Sequence, residues 1–459
     1  MNKERKVKYL LCISLGCFLP YLGFCEVNTS TVQFKTNKSS LNKTSILSGD
    51  AGLLLSDFVD DVGEVKGNKH LGKFGLKYQS VTDTEVYKGF ELVSQVNDEE
   101  VLQYSVKEAL IDFRFSSSRF AMGRTSLDWS HIDKIWGLGK INNRVNFDYF
   151  EPGQEGLVGF FYDKKHSNGI DYSLFGSFIY IPEMSQGMII DKDQGTIECR
   201  TPWCDAPSSS AEIEGRNVPI YYDVNYPDVA DVVTKYSFGA KLGFEYKRLY
   251  LNGFYIRKPE NQLSVTAEIS AEADLSMINV EATPQFYNHD VKGANVEYRF
   301  SDIFKAYGSS ISIIPDKYPD GDEPFIQYTG IKPKKKQEDY LSGGLSFNDG
   351  EIKADFGYIA RVSEFDTEND ILVNYPRWNQ AIHLAASKKI TRKIFMAIDY
   401  KYDMLTEDRL TMFKTSYSFE PNVLASFGVK MIGTDSSKES YWSKFENNDS
   451  VYSSIKYLF

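Results

Sequence analysis

Past its first 25 residues the sequence contains no run of about 20 consecutive apolar residues, the length one helix needs to cross hydrocarbon, so a membrane bundle of helices is excluded. Cysteine is scarce. Of the five, Cys12, Cys17 and Cys25 fall in the opening stretch, which leaves only Cys199 and Cys204 in "CRTPWCD". An isolated close pair in an exported chain is expected to close a small disulfide loop, and it lacks the extra ligands a metal site would need. The five histidines, His70, His131, His166, His289 and His383, are scattered and form no metal-ligand spacing, so no cofactor is expected. An excess of positive charge is also missing, the net charge being -11, which removes the basic footprint of a nucleic-acid partner.

What is present begins with an address. Lys3, Arg5, Lys6 and Lys8 lead into the apolar "YLLCISLGCFLPYLGF", and Gly23 and Cys25 put small residues three and one before Glu26. This reads as a secretory signal peptide over residues 1–25. Bulky Phe24, directly before Cys25, disfavours a lipid-modified cysteine. Its removal takes four basic groups and one acid, so -11 becomes -14. Residues 26–70 open on Ser, Thr, Asn and Lys with almost no apolar pattern and read as a flexible segment leading into the folded region, 71–459.

Aromatics make up 14% of the chain, yet mean hydropathy is -0.36, so the rings must be concentrated on particular faces. The pattern that places them has a period of two. In "KYSFGAKLGFEYK", Tyr236, Phe238, Ala240, Leu242, Phe244 and Tyr246 alternate with Lys235, Ser237, Gly239, Lys241, Gly243, Glu245 and Lys247. "EIKADFGYIAR" (351–361) and "KIFMAIDYKY" (393–402) repeat the arrangement, and the chain ends in it: Val451, Ser453, Ile455, Tyr457 and Phe459 share one face of a strand.

A soluble β-sandwich would alternate in the same way. Three features favour lipid instead: aromatics recur at the ends of apolar stripes, where they suit the membrane–water boundary; the opposite face mixes Gly, Ser and Ala with charge, as a wet lumen permits; and short links alternate with long ones. The short links include 348–350, 387–391 and 420–422; the long ones include 182–234, 315–338, 362–377 and 432–449. Lipid supplies no partners for backbone amides, so such strands must close into a ring. The expected fold is therefore all-β: a transmembrane antiparallel β-barrel of about 16 to 18 strands, with long extracellular loops and short periplasmic turns. Barrels of that size leave an aqueous channel. Residues 258–290 fit either one long loop or a loop with its own hairpin.

The ending Tyr457, Leu458, Phe459, with Ile455 and Val451 in step, resembles the C-terminal signature by which the outer-membrane insertion machinery recognises Gram-negative β-barrel proteins. "FAMGRTSLDWSHIDKIWG" (120–137) is similar to the strand-to-loop segment of porin-like channels, including the alginate-export and specific-porin groups. That resemblance implies an inward Arg124 near a constriction. The other strands do not align with those groups, and the 182–234 loop is longer than theirs, so a substrate does not carry over.

The densest candidate is 128–155, which joins Trp129, Trp136, Phe147, Tyr149 and Phe150 with Lys134, Lys140, Asn142, Asn143, Arg144 and Asn146. Flat rings beside amides and cations can hold a sugar or an acidic oligosaccharide. Folded inward the segment would narrow the pore; folded outward it would pack on the rim. Strand parity assigns the lumen Arg114, Lys241, Arg299, Lys353, Arg361, Lys393 and Lys430, with Asp112, Glu245, Asp355 and Asp399. Opposed charges across a pore would sort ions by sign.

The remaining motifs have plainer readings. His166 and Ser167 in "KKHSNG" are neighbours, so in an extended chain they point to opposite faces, whereas a base and its nucleophile must meet. A turn through Ser167, Asn168 and Gly169 explains the letters, and no enzyme is expected. "DKDQGTIE" (191–198) and "PDKYPDGDEP" (315–324) lack the full ligand sequence of a calcium loop. "KPKKK" (332–336) could meet lipopolysaccharide phosphates. These readings predict an outer-membrane channel for passive diffusion of small hydrophilic solutes. The alternative is a surface barrel acting as adhesin or receptor through its loops. Expected partners are outer-membrane lipid and lipopolysaccharide, the insertion machinery at the Phe459 strand, and small polar solutes.

Overall fold

A computed structural model describes residues 46–58, 70–81, 86–97, 102–145, 147–183, 188–199, 201–316, 326–327, 330–331, 336–363, 375–435 and 438–459. The expected signal peptide, residues 26–45, Asn146 and most of the 315–324 and 332–336 segments lie outside the described residues.

Eighteen antiparallel strands form one sheet. Numbered along the chain, the wall strands are β1 (Ile46–Phe58), β2 (His70–Val81), β3 (Val86–Asn97), β4 (Leu102–Arg114), β5 (Ser118–Thr125), β6 (Leu157–Lys165), β7 (Ile170–Ser177), β8 (Ser237–Tyr246) and β9 (Leu249–Pro259). They continue as β10 (Asn288–Arg299), β11 (Phe304–Pro315), β12 (Glu338–Asn348), β13 (Ile352–Arg361), β14 (Gln380–Lys389), β15 (Ile394–Asp403), β16 (Arg409–Glu420), β17 (Val423–Gly433) and β18 (Ser450–Leu458). Each strand pairs with its sequence neighbours, and β1 pairs with β18, Leu53 standing opposite Ile455, so the sheet closes on itself. A closed ring has no open edge, so its wall amides can pair within it.

β1 corrects the sequence reading. Residues 26–70 were expected to be flexible and the barrel to begin at 71, but Ile46–Phe58 is the closing strand. Leu53, Leu54 and Leu55 run together in it rather than alternating, so periodicity alone does not reveal it.

The outer face is the predicted apolar stripe. On β8, Phe238, Ala240, Leu242, Phe244 and Tyr246 are exposed, Leu242 at 63%, while Ser237, Gly239 and Gly243 are buried. Leu341, Phe356, Leu384, Ile398 and Ile455 continue this exposed band around the wall. An apolar surface of that extent on a closed antiparallel cylinder is the surface of a membrane-spanning barrel. Four strands that run toward the short-turn rim end in paired outward aromatics: Phe244 with Tyr246, Tyr298 with Phe300 at 4.9 Å, Tyr417 with Phe419 at 4.8 Å, and Tyr457 with Phe459 at 6.3 Å. These rings lie at one boundary of the apolar band, where aromatic side chains suit the membrane–water interface.

The connections keep the expected rhythm. Turns 166–169, 247–248, 300–303, 349–351, 390–393 and 421–422 lie at one rim, and segments 126–156, 178–236, 260–287, 316–337, 362–379 and 434–449 at the other. His166 donates its amide to Ile170, and Gly169 has φ 87°, so "HSNG" is a tight turn. Segment 260–287 contains its own hairpin, Ser264–Ala271 against Ile278–Gln285. That hairpin joins short strands from the two flanking loops in a six-stranded sheet above the long-loop rim.

Candidate functional site

The lumen of an 18-stranded barrel is wide enough to hold water, so what fills it decides how open it is. The segment between β5 and β6 folds into it. Arg124, inward on β5, starts the fold by pairing with Glu155 at 2.7 Å and donating to the Gly156 carbonyl at 2.9 Å; Ser105 on β4 also donates to Glu155. This places Arg124 as an anchor for the segment's two ends.

A short helix, α1 (His131–Trp136), lies in the lumen against β11 and β12. Ser130 caps it by accepting the Asp133 amide, and Gly137 ends it in the left-handed region at φ 59°, where a side chain would be strained. Asp133 then accepts the amides of Lys140, at 2.7 Å, and Ile141, at 3.0 Å, tying the following residues back onto the helix. Burial pushes the Asp133 carboxyl up, and those backbone N–H groups pull against it.

Contacts with widely separated wall strands fix the segment inside. The Trp136 indole N–H donates to Ser342 on β12 at 3.1 Å, and Asn295 on β10 donates to the Trp129 carbonyl at 2.8 Å. Trp129 lies against β8 where Gly239 leaves room: a Cβ there would stand 3.1 Å from the ring. Lys140 pairs with Glu338 on β12 at 2.9 Å. Across the lumen, Lys430 on β17 holds both Asp148 and, at 2.9 Å, Glu151, while Lys73 on β2 reaches Asp148 at 2.9 Å.

Other long loops complete the filling. Trp378, from 362–379, donates its indole N–H to the Trp136 carbonyl and packs on that ring at 5.9 Å; Trp442, from 434–449, donates to the Arg377 carbonyl. Cys199 and Cys204 form a disulfide, and Trp203 inside that small loop stacks on Tyr149 at 5.1 Å. Trp136 is 1% exposed, and Trp378, Trp442 and Tyr149 are equally buried. The result is an aromatic core suspended inside a wet cylinder.

Below it, toward the short-turn rim, lies a cavity of about 710 Å³. Trp136, Arg144, Arg299, Lys353, Asp355 and Asp399 from the sequence reading meet there, as does Lys305. Neighbouring wall charges are mostly paired: Asp399 with His383 at 2.8 Å and Lys401 at 3.5 Å, Glu297 with Arg299 and Lys305, Lys241 with Asp171. Arg114 sits apart near the short-turn rim, held by Asp112 at 3.0 Å and stacked over Tyr87; Arg361 bonds Ser363 at 3.1 Å near the opposite rim. Trp129 belongs to the buried core rather than to the cavity.

Lys393 is a correction. It lies in the turn before β15, with its ammonium over the ring of Tyr417 on the outer face, 5.9 Å from the centroid. Strand parity does not extend past Ile394, so it cannot assign Lys393 to the lumen. Arg377, Trp378 and Trp442 were missed. The signal for the first two was present in "NYPRWNQ", a cation beside an indole and an amide, but in a loop without period.

Asp148 carries a pH prediction. Burial disfavours its charge, but the ammonium groups of Lys430 and Lys73 outweigh burial and hold the carboxyl well below the ordinary carboxylate range. A carboxylate depressed on folding contributes stability above its unfolded pKa and loses it as pH falls through the folded value. The inward segment should therefore stay docked down to about pH 4 and loosen only below it. Tryptophan emission of the barrel in micelles, followed through an acid titration, reports this, and D148N should loosen the segment already at neutral pH. An unaltered titration in D148N would remove Asp148 from the account.

The fold and its filling define a class: a wide, closed β-barrel narrowed by its own loops. No family model matches the sequence, and no curated protein matches it either. Solved structures of similar fold include OmpF of Salmonella typhi in complex with daunomycin, at 8% identity and TM-score 0.42, over 91% of this chain and 98% of that one. OccAB1 of Acinetobacter baumannii is similar at 9% identity and TM-score 0.46, over 90% of this chain and 95% of that one. OccAB4 of the same organism is similar at 10% identity and TM-score 0.44, over 91% and 98%.

Proposed function

We propose that this protein is an outer-membrane channel that passes small hydrophilic solutes passively through a lumen narrowed by the inward 126–156 segment. The observation that carries the reading is the contrast between an apolar exterior and a charged cavity of about 710 Å³ beneath that segment, within a cylinder closed by backbone hydrogen bonds. In this reading the long loops face outside the cell, near lipopolysaccharide, and the short turns face the periplasm. The aromatic-ended β18 is the strand offered to the insertion machinery. Passage through such a lumen requires no covalent step.

A second reading has its own support. The buried Trp136–Trp378–Trp442 core and the six-stranded sheet above the rim suit a barrel that acts through its loops, as receptor or adhesin. Planar-bilayer recording separates the two. Stable ohmic steps of small conductance are expected for the channel; inserted protein that remains silent would reject it in favour of the loops.

A further inference from the structure

The Cys199–Cys204 disulfide spans a sequence separation of 5, and the small ring it closes holds Trp203 at 2% exposure. Three side chains seat that indole: Tyr149 at 5.1 Å, Phe445 at 5.6 Å and Phe150 at 6.0 Å. Asn448 donates its side-chain N–H to the Pro202 carbonyl at 2.8 Å, and Lys444 pairs with Asp205 just past the ring. Tyr149 and Phe150 belong to the inward segment; Phe445, Asn448 and Lys444 belong to 434–449. Every one of these partners lies in a loop that fills the lumen, and none is on a wall strand. The disulfide ring is therefore a joint between three loops, and the barrel ladder does not depend on it.

Little regular structure holds Trp203 in place. Residues 201–209 form no helix or strand, and the hairpin before them, Met188–Asp191 against Thr196–Cys199, is a sheet of two strands by itself. Such a hairpin is marginal in water. Closing the ring removes freedom from the released loop, which by chain entropy favours the seated loop by about one to two orders of magnitude. Cys204 is buried and Cys199 partly exposed, so a thiol approaches from the Cys199 side.

We propose that the Cys199–Cys204 bond is a redox latch on the lumen filling. Oxidised, it keeps Trp203 seated on Tyr149 and Phe150; reduced, it releases Trp203 and lets the inward segment and 434–449 part. A small dithiol supplies the electrons. One of its thiolates attacks the Cys199 sulfur, the S–S bond breaks, and the departing Cys204 thiolate takes up a proton. The second thiol of the reagent then displaces Cys199 as a thiol and closes the reagent's own disulfide, so two electrons pass to the protein. That release widens the lumen is a consequence that rests on the channel reading above.

The test treats the full barrel in detergent micelles with dithiothreitol. Alkylation by iodoacetamide, read by mass, counts the two new thiols, and heat-modified gel mobility checks that the wall stays folded. The acrylamide-quenchable share of tryptophan emission should rise by about one part in five, Trp203 being one of five tryptophans, and fall again on reoxidation. C199S/C204S should begin at the reduced level and ignore dithiothreitol, and W203F should show no such rise. Reduction of the wild type needs no variant, so the idea stays testable if the serine pair misfolds. In bilayers the same reduction should raise conductance and its noise. Thiols that appear only when the wall unfolds, a completed reduction with unchanged quenching, or a conducting barrel whose conductance ignores reduction would each overturn the latch. A barrel whose quenching follows the disulfide but which is silent in bilayers would sink the channel and leave Trp203 release standing; one that conducts while its quenching ignores reduction would do the reverse.

Discussion

Excising residues 128–155 should raise single-channel conductance several-fold while leaving the barrel able to fold. The wall does not depend on the segment for its ladder: β5 and β6 pair directly, Thr125 opposite Leu157, so the shortened chain needs only a tight turn between them. What is lost is the material crossing the lumen, namely α1, Trp136 against β12, and the carboxylates held by Lys430 and Lys73. An 18-stranded cylinder without that filling is an open water column, whose resistance falls as its narrowest section widens. Trp378 would lose Trp136, and Tyr441 and Phe445 would lose Tyr149, so the open state should be noisy, with loops entering and leaving the lumen. Heat-modified gel mobility checks that the wall has formed. A folded barrel with unchanged conductance would show that the segment is not the resistive element.

Replacing Lys430 by methionine should weaken docking of the segment by about 3–5 kcal/mol, the usual cost of stranding one side of a buried ion pair. Lys430 is 2% exposed and sits between Asp148 and Glu151, with Lys73 sharing only the first of them. Methionine keeps the stem's packing but removes the charge that offsets the desolvation of two carboxylates. K430R should cost far less. Adding D148N and E151Q to the methionine variant should recover part of the loss, since the buried charges that had lost their partner are then gone. Thermal unfolding in micelles and channel noise at neutral pH measure the effect. Equal melting of K430M and wild type would mean that the triad is solvated and the pairing ornamental.

Much of the wall was legible because lipid and water impose opposite demands on alternate residues. Leu242 and Lys241, or Phe356 and Asp355, are neighbours in sequence and lie in different solvents, and that contrast survives in a string of letters. The first strand was not legible, because Leu53 to Leu55 run together and Gly and Ser blur the face before them. Nor was the position of Lys393, since one residue beyond a strand end the parity rule has no authority. The inward segment was recognisable as dense in rings and cations, but nothing in its composition distinguished a lumen plug from a rim ornament.

By itself, then, the sequence determined the cylinder: period-two polarity, aromatic stripe ends and alternating link lengths follow from local rules that each strand obeys independently. Only the tertiary structure decided what the cylinder contains. Trp136, Trp203, Trp378 and Trp442 come from four separate loops, and among the described residues Glu183 pairs with Arg144 while no carboxylate pairs with Arg377. Contacts between distant loops depend on where closure of the ring places their ends, and no local period encodes that.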